Sequence, residues 1–550
     1  MSSSSELSKI IKSAIIRAQK DGELPQVDLP EIIIEKPKID KFGSLSSNIP
    51  MILGKTMNSN PMDIAEIILK KIENTQIIDK WDIVKPGFIN VHLSTFQRGK
   101  ILADIIKLKD KYGTNNLGQK EKVLIEFVSV NPTGPVHVGH ARGAVLGSAI
   151  ANILKFSDFK VSKEYYVNDA GNQIDLFIES IVENIKKILG NDYQIPTEGY
   201  KGKYIEEIAE DVIKKLNINN LKDISSNYEK IKNLALEITL DSIKDDLEML
   251  GIKYDNWFSE NSLISEGTLQ VCLEILDKKD LLYEKDGAKW FKSSLFQTDD
   301  DVVLYKSNDE GHTYFSTDIA YHYNKFFIRK YERIINIFGA DHHSHVFRIK
   351  SALEAFEIDQ NKMDTLLTQI VHFKSNNKSE RFSKRAGNIY TIRDLLNVVG
   401  VDAIRFNFLH RTPESQQEFD IDLAIKESSE NPVYYIQYAY ARLSSIINSV
   451  EFDYSNANFN LLKTKFETNL IETLDLFPDV VSRSASTLQT HLITKYSLDL
   501  ARQLQIFYEN CRVLSEDIEL TKARVNLVIS SKIVLKNVLN LLGINTPERM

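Results

Sequence analysis

Residues 122–156 constrain the fold of this chain more than any other stretch. Lys122-Val123-Leu124-Ile125-Glu126-Phe127-Val128-Ser129 is a short apolar run with β-branched residues, the pattern of a strand covered on both faces. It enters the turn Asn131-Pro132-Thr133-Gly134-Pro135, after which Ala141 to Phe156 reads as a helix of small and apolar residues. Strand, turn and helix in that order open a parallel α/β sheet. Further strands are predicted at Arg333 to Phe338, closing on Gly339, and at Leu366 to Phe373. The stretch 174–300 is charged and reads as mostly helical, and from about 391 the pattern is helical to the end. Upstream, Leu7, Ile10, Ile11, Ala14, Ile15 and Ala18 mark an amphipathic helix, and 32–37 a short strand. Asn60-Pro61 opens a helix over 62–73, and 87–93 alternates like a strand. The expected architecture is α/β and multidomain. A small α+β domain spans 1–112, a Rossmann-type parallel-sheet core spans 118–400 with a helical insertion at about 175–300, and an all-α helical-bundle domain spans 401–550.

A length of 550 residues suits several such domains. Lys and Arg number 68 against 76 Asp and Glu, a net charge of −8, so nucleic acid could be held only by local basic surface. Cys272 and Cys511 belong to no C-x-x-C pair, which leaves no thiolate zinc site and no disulfide framework, and fits reduced thiols in the cytoplasm. No unbroken run of 18 apolar residues is present, and Met1-Ser-Ser-Ser-Ser-Glu6-Leu7 lacks the charged and apolar regions of a secretory signal. A cytoplasmic protein without a membrane span is expected.

The chemistry concentrates in a few places. His137-Val138-Gly139-His140 lies at the strand-to-helix turn, where a three-residue spacing puts both imidazoles on one face of a first helical turn. Gly139 permits close approach of a ligand, and the amides at a helix start favour phosphate. Imidazoles there can offset charge growing on phosphorus, although the same spacing also suits a metal pair or an incidental turn. Arg381-Phe382-Ser383-Lys384-Arg385-Ala386-Gly387-Asn388 is a basic loop able to cover a triphosphate, or, taken alone, a solvated turn. Tyr314 and Asp318 offer an aromatic and a carboxylate four residues apart, on one face if helical. Asp318 as an N-cap before Ile319 and Tyr314 as a core aromatic are the plainer uses. His342-His343-Ser344-His345 tempts a metal reading, but on a strand at most His343 and His345 would share a face. Tyr434, Tyr435 and Tyr438 recur at helical spacing, which favours core packing for at least two of them.

Together the two signatures resemble those of the class I aminoacyl-tRNA synthetases. His137–His140 is similar to the motif usually written H-I-G-H, and Arg381–Arg385 to K-M-S-K-S, with Lys384 as its second lysine and departures at Arg381 and Arg385. Glu126 to His140, Tyr165 to Gln173, Tyr200 to Tyr204, Gly339 to His343, Asn431 to Arg442 and Leu541 to Met550 resemble segments of the arginyl-tRNA synthetase family. That resemblance implies a ligase that activates L-arginine with ATP to arginyl-adenylate and pyrophosphate, then moves arginine to the 2′-hydroxyl of the terminal adenosine of tRNA(Arg). It implies His137, His140 and Lys384 as catalytic residues. ATP would meet His137, Gly139, His140, Asp341, His342, Arg381, Ser383, Lys384 and Arg385. Arginine would meet Glu126, Ser129, Asn131, His140, Tyr314, Asp318 and His342. The tRNA would meet Asn48 and Phe88 in an elbow-binding N-terminal domain and Tyr440, Arg442 and Arg512 in an anticodon-binding C-terminal domain, Tyr440 or Arg442 being expected at the surface. Mg²⁺ would accompany ATP, with no tightly bound zinc. Activation would require bound tRNA, and the enzyme would be a monomer without an obligate protein partner. A cysteine-activating relative would need thiolate or histidine zinc ligands that two scattered cysteines do not supply.

Overall fold

The computed structural model describes residues 2–37, 39–296, 298–306, 311–375, 391–451 and 453–550. The chain divides into two units, one of Gly118–Lys155 with Phe159–Lys426, the other of Met1–Leu117 with Phe156–Asp158 and Glu427–Met550.

The first unit is built on five parallel strands: β1 (Lys122–Phe127), β2 (Lys160–Val167), β3 (Asn256–Ser259), β4 (Arg333–Gly339) and β5 (Met363–Thr368). Their spatial order is β5-β4-β1-β2-β3. The chain therefore runs outward from β1 to one edge, then returns to lay β4 on the other side of β1. This makes the carboxyl ends of β1 and β4 a topological switch point, the place where open α/β sheets leave a ligand crevice. Val123, Leu124, Ile125 and Phe127 are buried, as a strand covered on both faces requires. Helix α1 (Ala141–Phe156) lies close on β1 because Gly147 has no side chain: a Cβ there would stand 2.4 Å from the Phe127 ring.

Helices Asn172–Ile188, Lys203–Leu216 and Tyr228–Met249 pack about a core of Phe177, Ile178, Ile181, Ile205, Val212 and Ile231. The reading of 174–300 as mostly helical holds, with short strands set among and after the helices. Asn256–Ser259 joins the central sheet, and Leu282–Lys285, Ala288–Phe291, Val302–Lys306 and Gly311–His312 form an antiparallel meander. Strands of two to five residues are too short for alternation to register against a charged background. Likewise, Gln417–Asp420 pairs in parallel with Val371–Lys374, inside the region expected to be helical. Two further helices matter for the site: α2 (Tyr314–Tyr323) and α3 (His343–Ala355), which share a buried core with the meander and the sheet through Phe291, Leu304, Phe315, Ile319, Ile334, Ile349 and Leu353.

The second unit combines both ends of the chain. Helix Ser3–Lys20 accompanies four antiparallel strands in the order Ile34–Glu35, Leu45–Ser47, Phe88–Leu93, Ile78–Val84. Helices Pro432–Asn448, Lys465–Asp475, Phe477–Thr487, His491–Asn510 and Ile518–Leu542 make up the rest. Arg98 donates to Glu472 at 2.7 Å, and the Ser3 amide to Asp475 at 3.1 Å, tying the two ends together. Ile518–Leu542 is long and apolar enough to cross a membrane by length and composition, but Val525, Leu527, Val528, Val534 and Leu535 are fully buried in this unit, as in the core helix of a bundle.

Candidate active site

The crevice begins where β1 ends. Val128 and Ser129 both take positive φ, 73° and 45°. A β-branched residue in that region is strained, and such strain persists only where surrounding bonds over-determine it. Here the Ser129 hydroxyl donates to Glu126 Oε1 and accepts from the Tyr166 amide, each at 3.1 Å, and the Asn168 side chain donates to the Ser129 carbonyl at 3.1 Å. The sharp turn carries the following segment across the sheet's carboxyl edge. Asn131 lies on it, with its side-chain amide donating to Gln173.

His137 is not on the helix proper, as the spacing argument supposed. It caps a 3₁₀ turn, Val138–His140, and helix α1 starts after it. Its Nδ1 accepts from the Gly139 amide at 3.0 Å. The neutral ring then carries its proton on Nε2, ready to donate outward. A Cβ on Gly139 would stand 2.9 Å from that Nδ1, so the bare backbone is what permits the cap. The His137 and His140 rings lie 6.4 Å apart, nearly perpendicular and open at their edges. Desolvation lowers the pKa of each; at His140 the neighbouring His137 adds to it and Asp341 opposes it. Both are therefore biased toward the neutral, hydrogen-bonding form at neutral pH.

Asp341 and His342 follow β4 in a short 3₁₀ turn, on the opposite side of the switch point. Arg381, Ser383, Lys384 and Arg385 lie outside the described residues. Thr391, seven residues beyond Lys384, is bridged to His137, and the Ile392 amide donates to the Val136 carbonyl at 3.0 Å.

The second half of the crevice is acidic. Tyr314 and Asp318 do fall on one face of a helix, α2, but neither plainer use holds. The N-cap is Thr313, Asp318 sits within the helix, and Tyr314 is 53% exposed. Asp318 is buried, and His345 on α3 approaches its Oδ2 to 2.5 Å through Nε2. The His342–His345 run is helical from His343, so the alternating faces of a strand do not apply to it. Val346, Ile349, Leu353 and Phe356 give the helical spacing that could have revealed this. No group of three or more His, Cys, Asp or Glu suited to a metal is found among the described residues.

Two groups that sequence reasoning missed complete the acidic pocket. Glu260 is buried and accepts from the Thr317 hydroxyl at 2.8 Å. Burial pushes its pKa up to about 7, against that hydrogen bond, with Asp318 and Asp169 raising it further. Tyr314 feels the charges of Asp318, Glu126 and Glu260, which with burial raise its pKa. Lys325, fully buried, donates to Glu126 Oε2 at 2.6 Å and lies 3.8 Å from the Tyr321 ring centroid. Burial lowers its pKa, while Glu126 and Glu164 oppose that shift. Glu126 thus has one oxygen on Lys325 and the other on Ser129. The three carboxylates come from segments far apart in sequence, and no local motif announces Glu260 or Lys325.

In the other unit, Asn48 precedes helix Ile49–Met57 without a side-chain capping bond, and its Oδ1 is buried without a partner. Phe88 is half-buried at the start of its strand. Of the two residues expected at the surface, Tyr440 is the buried one and Arg442 the exposed one. Tyr440 is 2% exposed, with its hydroxyl toward Glu548 and Lys532 over its ring. Arg442 is exposed and stacks over Tyr508 at 4.7 Å, and Arg512 is exposed. The tyrosine most open on this helix is Tyr438, at 46%, its ring parallel to the half-buried Tyr434. Tyr434, Tyr438 and Arg442 are four residues apart and share one face.

Comparison with known proteins gives three family matches that together cover most of the chain. Residues 5–93 match the arginyl tRNA synthetase N terminal domain, 101–406 the class I (R) tRNA synthetase catalytic domain, and 436–550 the DALR anticodon binding domain. The chain is 41% identical over 546 residues to an arginine–tRNA ligase of Dehalococcoides mccartyi, covering 98% of both. It is 41% identical over 557 residues to one of Acetivibrio thermocellus, covering 99% of this chain and 98% of that protein. Its fold matches the arginyl-tRNA synthetase of Thermus thermophilus with a TM-score of 0.75 at 22% identity, over 99% of this chain and all of the other.

Proposed function

The chain belongs to the arginyl-tRNA synthetase family, and from that premise we propose that it joins L-arginine to its tRNA at the expense of ATP. The arginine carboxylate attacks the α-phosphorus and displaces pyrophosphate. The 2′-hydroxyl of the terminal adenosine of the tRNA then attacks the acyl carbon and releases AMP. One observation carries the choice of amino acid. Two buried carboxylates, Asp318 and Glu260, lie close enough to each other and to the exposed Tyr314 for their charges to act on one another and on its hydroxyl. A guanidinium keeps its charge at any working pH and spans carboxylates in fork geometry against a flat aromatic wall. Glu126 acts through Ser129 and through its field, since both its oxygens are bonded.

The ATP end follows from the geometry of the turn. His137 Nε2–H and the His140 ring donate to phosphate oxygens and stabilise the charge of the pentacoordinate phosphorus. Asp341 and His342 border the adenosine and amino-acid sides. Lys384, with Arg381, Ser383 and Arg385, holds the β- and γ-phosphates; the return of the chain to His137 at Thr391 supports this pairing of segments. Mg²⁺ rides on the triphosphate, held by phosphate and water. The N-terminal and C-terminal domains take the tRNA, with Asn48 and Phe88 on one and Tyr434, Tyr438, Arg442 and Arg512 on the other offering stacking and guanidinium surfaces. The enzyme works in the cytoplasm as a monomer.

Pyrophosphate exchange with each amino acid, with and without tRNA, tests this reading: an arginine-only, tRNA-dependent signal is expected, and exchange with another amino acid instead would overturn it. Lys384→Ala should slow activation by about 10²–10³-fold with little change in the KM for arginine, the scale seen when a preorganised charge is removed from a transition state.

A further inference from the structure

His345 has no place in the mechanism so far, yet it is the side chain that holds Asp318. Its Nε2 lies 2.5 Å from Asp318 Oδ2, and a carboxylate can only accept, so the ring proton sits on Nε2. Aromatic neighbours fix the ring on several sides. The Tyr314 centroid is 5.6 Å away, Phe315 meets it edge-on at 5.9 Å, and His342 stands at 6.1 Å. Its side chain is only 13% exposed. The backbone adds rigidity, because His345 lies in the first turn of α3, whose Val346 and Ile349 are buried. Asp318 Oδ1 makes no bond among the described residues. Thr317 holds one oxygen of Glu260 in the same manner.

We propose that His345 is a positioning residue for amino-acid selection: it pins Asp318 by one oxygen and so turns the other toward the guanidinium. This rests on the reading of Asp318 as the arginine carboxylate. An aspartate in a pocket can rotate about its terminal torsion, and an unpinned one would present either edge, or swing to another donor, at a cost to fork geometry. A pinned carboxylate beside a pinned glutamate leaves a fixed separation between acceptors, which the two N–H arms of a guanidinium can span and a single ammonium cannot. His345 touches no reacting atom; its effect passes through Asp318.

The test uses the full-length enzyme with tRNA in pyrophosphate exchange and compares His345→Phe, His345→Gln and Asp318→Asn. Phe keeps the ring and its packing but lacks the donor, and Gln places an amide N–H near the position of Nε2. His345→Phe should raise the arginine KM by at least about tenfold, with the ATP KM within about twofold, the scale of a lost hydrogen bond to a charged group. His345→Gln should recover most of that loss. Equal rises in both KM values, no rise in either, or a Gln variant as impaired as the Phe variant would each overturn the proposal. Asp318→Asn separates the two levels of argument. If it raises the arginine KM while His345→Phe does not, the pocket stands and the positioning role falls. If Asp318→Asn itself leaves the arginine KM unchanged, the pocket has been misplaced and both fall.

Discussion

Two clusters of buried carboxylates, one in each unit, show how the same desolvation serves different ends. In the unit holding both chain ends, Asp475 is buried and its pKa is pushed up to about 7 by that burial. In the sheet unit, Glu260 is buried and is pushed up to about 7 by the same cause. The difference lies in what meets the oxygens. Both oxygens of Asp475 accept from the Ser3 amide, at 3.3 and 3.1 Å, and the two of Asp479 accept from the hydroxyls of Ser2 and Ser4. Every oxygen of the pair is thus engaged at the start of helix Ser3–Lys20, where amides lack helical partners and negative charge is favoured. Asp318 is held by His345 through one oxygen, and Glu260 accepts from Thr317 with the Tyr166 hydroxyl beside it, both close to a tyrosine that is 53% exposed. A buried carboxylate with every oxygen matched is a fastener; one with bonding capacity left over, facing an opening, is prepared for a cation.

The contrast can be broken at either cluster. The largest effect is expected from Asp318→Asn, which keeps shape and removes charge. Selectivity for arginine over citrulline should fall by about 100-fold or more, because a guanidinium in a buried site loses its counter-charge. The denaturation midpoint should barely move; a large loss of stability with selectivity intact would make Asp318 a fastener too. Asp475→Ala should do the reverse, removing about 1–3 kcal/mol of stability by leaving the Ser3 amide unpaired while the arginine KM stays constant. Denaturant titration alongside exchange kinetics reads both quantities.

Acidity gives a finer comparison. A raised carboxyl pKa favours the protonated form in the fold, so each group supports stability at low pH and loses that contribution as pH climbs from about 4 to about 7. Asp475→Asn should flatten part of that slope in the denaturation midpoint. Arginine reverses the preference at Glu260, since a cation favours the charged carboxylate. Arginine affinity should rise with pH, by at most about tenfold per unit, and level off above about 7. Glu260→Gln should remove that rise, as measured by arginine titration across pH; an unaltered profile would place Glu260 away from the ligand.

Much of the nucleotide end was legible because its parts are contiguous. The strand at 122, the Asn-Pro-Thr-Gly-Pro turn and the histidine pair lie within about twenty residues, and local preferences there agree with one another. The acidic pocket was only half legible. Tyr314 and Asp318 share a helix and showed as a pair, but Glu260, Lys325 and His345 come from other segments. Glu260 follows the four-residue strand Asn256–Ser259, too brief for its alternation to be recognised, and Lys325 falls in a π-helical turn that no periodicity marks. Tyr438 and Tyr440 illustrate the limit on a helix: spacing says which residues share a face, not which face the neighbours cover.

By itself the sequence determined the parallel sheet, the imidazole turn at its edge and the family to which the chain belongs, because these depend on short-range pattern and on residue types set side by side. Only the tertiary structure decided which carboxylates are matched and which retain bonding capacity. That property depends on partners brought together from distant segments, and on the loss of water around them, neither of which is written at any one place in the chain.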